Sequence, residues 1–381
     1  MEKQLLIEFE EVVPKYYQIE KHIKALIFSG KLKTGDKIPP EEILSKQLNV
    51  NRGTVAKAIN RLVNEGVLYR KRGKGTFITP YKMKKTKTLA VVLYHIDNPF
   101  YSKIVKGIEK TASEKGYHLI LCNSLGDEEK EQQYVERLID EGKVDGFLLC
   151  PKNLNLTSPI FEILEERNIP VVVFPQASRK ENRHNISYVI SDDNKGACNA
   201  VRYLIRLGHR KIGFVADKDW KSEISGINRW NGYKKAMEEN KIEVNPEYII
   251  EASGVEIEDG WNLAAEKLET IKKFTALFCT GDMLAIGILK KLKEEGIKVP
   301  EEISIVGFDN IDMAGYPDIQ LTTVEQPTYL IGQKATEILI EHIEGRIKDT
   351  VHILLPTKLI IRKTTTKINR ECYLSGGKYA T

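Results

Sequence analysis

From Tyr16 the apolar residues Ile19, Ile23, Leu26 and Ile27 recur at three- and four-residue steps, the spacing of one face of a helix. Gly30 ends the run, and Gly35 and the Pro39-Pro40 pair set a loop. Pro40 suits the first turn of a second helix, where Glu41 and Glu42 favour the dipole and Ile43, Leu44 and Leu48 form the buried face. A break at Asn49-Val50-Asn51 precedes a third run from near Arg52, with Val55, Ile59, Leu62 and Val63 inward. After Gly66 two short strand-like runs, Val67-Leu68-Tyr69 and Thr76-Phe77-Ile78, flank the basic tip Arg70-Lys71-Arg72-Gly73-Lys74-Gly75. Two helices across a tight turn, then a basic hairpin, predict a winged helix-turn-helix of α+β class.

Beyond Thr88 the period alternates. Strands are expected at 89–93, 118–122, 146–149, 170–174, 212–215, 248–251, 276–279 and 303–307. Helices are expected between them, near 102–115, 128–141, 158–167, 196–207, 229–239, 260–269, 283–295 and 329–344. Apolar runs spaced by helices imply parallel sheets covered on both faces. The unit repeats too often for one small sheet, so the reading is two α/β lobes, breaking near Phe174–Ser191 and crossing again after Gln326. Ligands of such sheets sit beyond the carboxyl ends of the strands. The expected boundaries are a winged-helix domain over 1–79, a linker over 80–87, a two-lobed domain over 88–364, and a disordered tail over 365–381.

Charge sharpens this division. Residues 1–88 hold 19 Lys/Arg against 9 Asp/Glu, while the rest of the chain holds 39 against 44. A basic segment on a mildly acidic body is the footprint of a nucleic-acid binder. At the start of the third helix Asn51, Arg52, Gly53, Thr54 and Lys57 are candidate DNA contacts, as are Arg72, Gly73 and Lys74 at the hairpin tip. The five cysteines lie at least 28 positions apart, which suits neither a zinc site nor a redox pair. No apolar run reaches the ~18 residues of a membrane span. The acidic first residues do not read as a signal peptide, so a cytoplasmic protein without membrane partners is expected. No nucleotide-loop, zinc-protease or serine-hydrolase motif occurs, and neither a catalytic residue nor a cofactor or metal is expected.

Residues 16–78 resemble the GntR-type winged helix. The likeness rests on Ile38-Pro39-Pro40-Glu41, Val50-Asn51-Arg52-Gly53-Thr54-Val55, Glu65-Gly66-Val67-Leu68 and Gly73-Lys74-Gly75-Thr76-Phe77-Ile78. Ala56 departs from the family, which often has a base-reading arginine there. Residues 88–364 resemble the LacI/GalR-type sensor domain, itself similar to periplasmic sugar-binding proteins. This second likeness is carried by Asn98-Pro99-Phe100-Tyr101, Leu207-Gly208-His209-Arg210-Lys211-Ile212, Arg229-Trp230-Asn231-Gly232-Tyr233, Gly281-Asp282-Met283-Leu284-Ala285, Val299-Pro300-Glu301-Glu302-Ile303-Ser304-Ile305-Val306-Gly307-Phe308-Asp309-Asn310 and Leu321-Thr322-Thr323-Val324-Glu325-Gln326-Pro327.

The resemblance implies that Arg229 and Asp282 grip ligand hydroxyls, with Asn310 a weaker candidate. It implies that Phe100, Tyr101 and Ser124 wall the N-terminal lobe and that Gln176 stands at a position where relatives carry other polar groups. Charged bidentate groups suit vicinal hydroxyls, and aromatics suit the apolar face of a sugar. The implied function is a sequence-specific transcriptional regulator, a homodimer on a pseudo-palindromic operator, released by a small sugar with L-arabinose foremost. Another sugar, a nucleoside-like ligand, or activation instead of repression stays open. An exported solute-binding protein and an enzyme with a regulatory head domain are the rivals from other classes; the first lacks a signal peptide and the second a catalytic constellation.

Overall fold

The computed structural model describes residues 7, 9, 12–28, 31–79, 85–151, 158–175 and 186–368. The first domain contains α1 (Lys15–Phe28), β1 (Lys37–Ile38), α2 (Glu41–Gln47), α3 (Arg52–Asn64), β2 (Leu68–Lys71) and β3 (Gly75–Ile78). The β2–β3 hairpin is antiparallel, and β1 adds to its far edge. Ile19, Ile23, Leu44, Val55, Ile59, Leu62 and Ile78 close one small core, so the face read from the three-residue steps is the face that packs.

The lobe that follows is built from β4 (Thr88–Leu93), α4 (Pro99–Glu114), β5 (His118–Asn123), α5 (Glu128–Asp140), β6 (Gly146–Cys150), α6 (Pro159–Glu166), β7 (Val171–Val173) and β8 (Ser187–Ser191). The chain then enters the second lobe with α7 (Asp193–Arg206), β9 (Ile212–Asp217), α8 (Ile224–Glu239), β10 (Ile249–Ala252), α9 (Ile257–Glu266), α10 (Leu268–Ile271), β11 (Ala276–Cys279), α11 (Asp282–Glu294), β12 (Ser304–Asp309) and β13 (Thr322–Glu325). It returns to the first lobe for α12 (Thr328–Ile343) and β14 (His352–Leu355), and ends in the second lobe with β15 (Lys358–Ile360). Two six-stranded sheets result among the described residues, β14-β8-β7-β6-β4-β5 and β10-β9-β11-β12-β13-β15. Every pairing is parallel except β13 with β15.

The two lobe changes expected from the sequence are joined by a third, between Leu355 and Lys358. It went unread because β14 and β15 are short edge strands with alternating exposure, without the continuous apolar run of an inner strand. β8 and β13 were also unread, since buried Ser187, Ser191, Thr322 and Thr323 dilute their apolar signal. The expected disordered tail needs correction at its start. Thr365 Oγ1 lies 3.0 Å from the Tyr203 hydroxyl, the Thr366 amide donates to Ser304 Oγ at 3.1 Å, and the Ile368 amide donates to the Leu207 carbonyl at 3.0 Å. His209 completes this clasp between Thr275 Oγ1 and the Thr366 carbonyl, each at 3.0 Å, a structural role. The remaining tail, 369–381, and the linker positions 80–84 lie outside the described residues.

Helix α12 packs flat against α4 because each offers a glycine to the other's backbone. A Cβ at Gly107 would stand 2.3 Å from the Tyr329 carbonyl oxygen, and one at Gly332 would stand 2.1 Å from that of Ile104. The helices can separate only by opening the first lobe's core. Gly332→Ala is therefore expected to destabilise the protein by about 1–3 kcal/mol, the usual cost of overpacking, despite the better helix propensity of alanine. Thermal unfolding checks this.

Candidate effector cavity and nucleic-acid interface

Between the lobes lies a cavity at the carboxyl ends of the strands of both sheets. The first lobe contributes Tyr94 and Asn98 after β4 and Phe100 and Tyr101 at the start of α4. The second contributes Asp217 at the end of β9, Glu223, Ser225 and Arg229 around the start of α8, Val255 after β10, Thr280 after β11 and Asp309 at the end of β12. Asn98 is also the N-cap of α4, its side chain accepting the Phe100 amide, which fixes the turn that presents both aromatic rings. Tyr94, Tyr101 and Phe100 meet edge to face along this wall.

Arg229 organises the opposite wall. It is only 8% exposed, and a buried guanidinium must be paired. Its Nε donates to Asp193 Oδ2 at 3.0 Å, its Nη2 to Asp309 Oδ1 at 3.4 Å, its Nη1 to the Thr280 carbonyl, and its Cζ lies 4.0 Å from the Phe308 ring centroid. Burial works against the charge, yet the two carboxylates outweigh it and keep the guanidinium's pKa above its ordinary value. Asp309 responds in the opposite sense. Burial pushes its carboxyl up from 3.8 to about 7, with Asp193 adding to the rise and Arg229 and Gln326 opposing it. Its φ of 110° holds the carboxylate at the cavity in a left-handed conformation that few non-glycine residues adopt.

The structure brings Arg229, Phe100 and Tyr101 together at the cavity and separates Asp282, Asn310 and Ser124 from it. Asp282 is fully buried behind the wall, where it accepts from the Thr323 hydroxyl at 2.5 Å and the Ile311 amide at 2.9 Å. Burial first, and the nearby Asp309, hold its pKa well above the carboxylate range. Its role here is to tie α11 to the loop after β12 and to β13 itself. Asn310 is engaged elsewhere, its amide donating to Glu325 and its oxygen accepting from Arg362. Ser124 is sealed, its hydroxyl donating to the Leu93 carbonyl. Gln176 lies outside the described residues.

Asp217, Glu223, Ser225, Thr280, Asp309, Tyr94 and Asn98 were missed. Most follow the carboxyl end of a strand, so the rule for parallel sheets carried the needed signal. Glu223 and Ser225 were lost because α8 starts at Ile224, five residues before the expected Arg229.

In the first domain Asn51 caps α3, its side chain accepting the Gly53 amide at 2.7 Å. Arg52 and Lys57 are exposed, with Thr54 partly so. The Lys57 ammonium lies 3.8 Å from the Tyr16 ring centroid, and Arg52 pairs with Glu42 at 3.0 Å. The start of α3 shares one groove with Gly73, Lys74 and Gly75 of the wing tip, and Arg72 is exposed beside them. A positive φ at Gly73 and Gly75 makes the tight tip possible.

Residues 15–78 match the gntR family of bacterial regulatory proteins, and residues 201–365 match a periplasmic binding protein-like domain. An arabinose metabolism transcriptional repressor from Geobacillus stearothermophilus is 33% identical, over 94% of this chain and 100% of its own length. The chain belongs to the family of transcriptional repressors that join a GntR-type head to a LacI/GalR-type sensor domain. The HTH-type repressor PurR of Vibrio atlanticus is 32% identical over 83% of this chain and 92% of its own. Among solved structures, a LacI family regulator from Enterococcus faecium with bound ribose superposes with a TM-score of 0.65 at 28% identity, over 74% of this chain and 100% of its own.

Two outcomes test these sites. Because folding raises the Asp309 pKa, its cost to stability is absent below 3.8, grows as pH rises, and is complete above about 7. The change in melting temperature caused by Asp309→Asn is expected to be more favourable at pH about 8 than at pH about 5, while effector binding weakens; melts of both proteins at both pH values check it. On the DNA side, Arg52→Ala is expected to cost about 1–3 kcal/mol of specific operator binding, with a smaller effect on random DNA. Anisotropy titrations at fixed salt measure both.

Proposed function

We propose that this repressor binds a pseudo-palindromic operator as a homodimer in the cytoplasm and is released by a small neutral monosaccharide, L-arabinose first, without catalysing any reaction. The observation that carries the effector class is the charge of the cavity. Among the described residues, Asp217, Glu223 and Asp309 line it against one cation, Arg229, whose charge is already shared with Asp193 and Asp309. Carboxylates accept from sugar hydroxyls, the guanidinium donates to them, and the Phe100 and Tyr101 rings pack on a sugar's apolar face. A phosphate or carboxylate ligand would meet net repulsion there. L-Arabinose leads because a relative spanning nearly the whole chain is an arabinose metabolism repressor. The aromatic wall also suits a nucleoside base, which makes a nucleoside the second reading.

Repression follows by linkage. A sugar that closes the lobes stabilises a state whose two heads no longer match the operator half-sites, so operator affinity falls by the sugar's preference for that state. Trp220 and Trp230 touch the Phe214 ring beside α8, close to Glu223 and Ser225, and provide an intrinsic reporter. L-Arabinose is expected to change their fluorescence saturably and to release labelled operator DNA, whereas a pentose phosphate does neither. Release by a pentose phosphate instead would sink the assignment of a neutral ligand.

A further inference from the structure

Arg229 is one corner of a closed ring of side chains, most of which lie outside the cavity. Arg229 donates to Asp193, and Asp193 Oδ1 lies 2.6 Å from the Ser191 hydroxyl. Ser191 Oγ lies 2.5 Å from Gln326 Oε1, Gln326 Nε2 donates to Asp309 Oδ1 at 2.7 Å, and Asp309 returns to Arg229. Ser191 and Gln326 are 6% and 4% exposed, and neither lines the cavity. Each sits at a place where the chain changes lobes. Ser191 ends β8 of the first lobe just before α7 of the second, and Gln326 follows β13 of the second just before α12 of the first.

With Asp309 ionised, the ring is one hydrogen short. A serine hydroxyl has a single hydrogen, yet both neighbours of Ser191 Oγ are acceptors, the Asp193 carboxylate and the Gln326 amide oxygen. Turning the amide over sets its oxygen against Asp309 across 2.7 Å, which satisfies the ring when Asp309 is protonated but only moves the conflict when Asp309 is ionised, as it is above pH about 7. One lobe crossing is therefore satisfied at the expense of the other. Which one wins depends on how strongly Asp193 demands the hydrogen, and that depends on Arg229.

We propose that Ser191 and Gln326 are positioning residues that transmit occupation of the cavity to the lobe crossings, with the Ser191 hydrogen as the element that changes partner. This rests on the reading of the cavity as the effector site. With the cavity empty, Arg229 satisfies Asp193, and the Ser191 hydroxyl donates to Gln326, tying the two crossings together. A ligand oxygen that engages Arg229 draws the guanidinium from Asp193. The carboxylate then captures the hydroxyl and Gln326 is released.

The consequence reaches the DNA side through α12. That helix begins two residues after Gln326, and its 16 residues span about 24 Å. At its far end Lys85 Nζ donates to the Ile343 carbonyl at 2.8 Å, and Lys87 pairs with Glu344 at 3.4 Å. These lysines are where the chain arrives from the DNA-binding domain. Asp145 fixes the same segment, accepting from the Thr86 amide and hydroxyl and from the Lys87 amide. A movement at Gln326 is thus delivered to the linker by a single packed helix.

The test uses the full chain with Ser191→Ala, Ser191→Thr and Gln326→Met. Tryptophan fluorescence gives the Kd for L-arabinose, or for whichever sugar releases the wild type, and anisotropy gives the operator Kd with and without saturating sugar. Ser191→Ala and Gln326→Met are expected to keep sugar affinity within about threefold. The ratio of operator Kd values with and without sugar is expected to shrink by about tenfold in both. Ser191→Thr, which keeps the hydroxyl, is expected to restore the ratio. Two folded variants that bind sugar and release operator like the wild type would overturn the proposal while leaving the effector reading intact. If no sugar releases even the wild type, the effector reading fails and the transmission proposal falls with it. Unfolding of either Ser191→Ala or Gln326→Met leaves the other, on the opposite crossing, to decide.

Discussion

A guanidinium nearly removed from water, held where two lobes meet, constrains most of this sensor domain. Arg229 must be surrounded by acceptors, and those acceptors come from three separate stretches: Asp193 at the start of α7, Thr280 after β11 and Asp309 at the end of β12. Removing any partner would leave a charge buried without compensation, which costs far more than an exposed ion pair is worth. The second lobe's strand ends are thereby drawn to one point. The strained backbone of Asp309 and the raised pKa of its carboxyl are the local costs of keeping that charge where a ligand can reach it.

The same constraint explains why the cavity is acidic although it contains an arginine. The positive charge is shared with the protein's own carboxylates, so a visiting molecule meets a polarised pair and not a free cation. Such a site rewards hydroxyl groups, which can donate to one partner and accept from the other. The DNA-binding domain follows the opposite logic. Its exposed basic groups are held loosely, Arg52 against Glu42 and Lys57 over Tyr16, contacts that water and salt weaken and that phosphate can replace.

What the sequence determined by itself was whatever repeats locally. The face of α1 through Ile19 and Ile23, the apolar runs of the inner strands other than β8 and β13, and the glycine-containing wing tip are periodic or composed so distinctly that one reading fits. The family likeness, carried by contiguous motifs, was legible for the same reason. The tertiary structure alone decided which polar residues share a cavity. Asp282 opens α11 just after β11 and Asp309 closes β12, yet Asp282 is spent inward on Thr323 and Ile311 while Asp309 faces the ligand space. Nothing in their neighbours predicts this, because it depends on which loop of a distant segment covers each carboxylate. The third lobe crossing, the clasp of Thr365 to Ile368 and the ring through Ser191 and Gln326 belong to the same class. Each joins residues far apart in the chain, and a hydrogen bond of that kind leaves no period in the sequence from which it could be read.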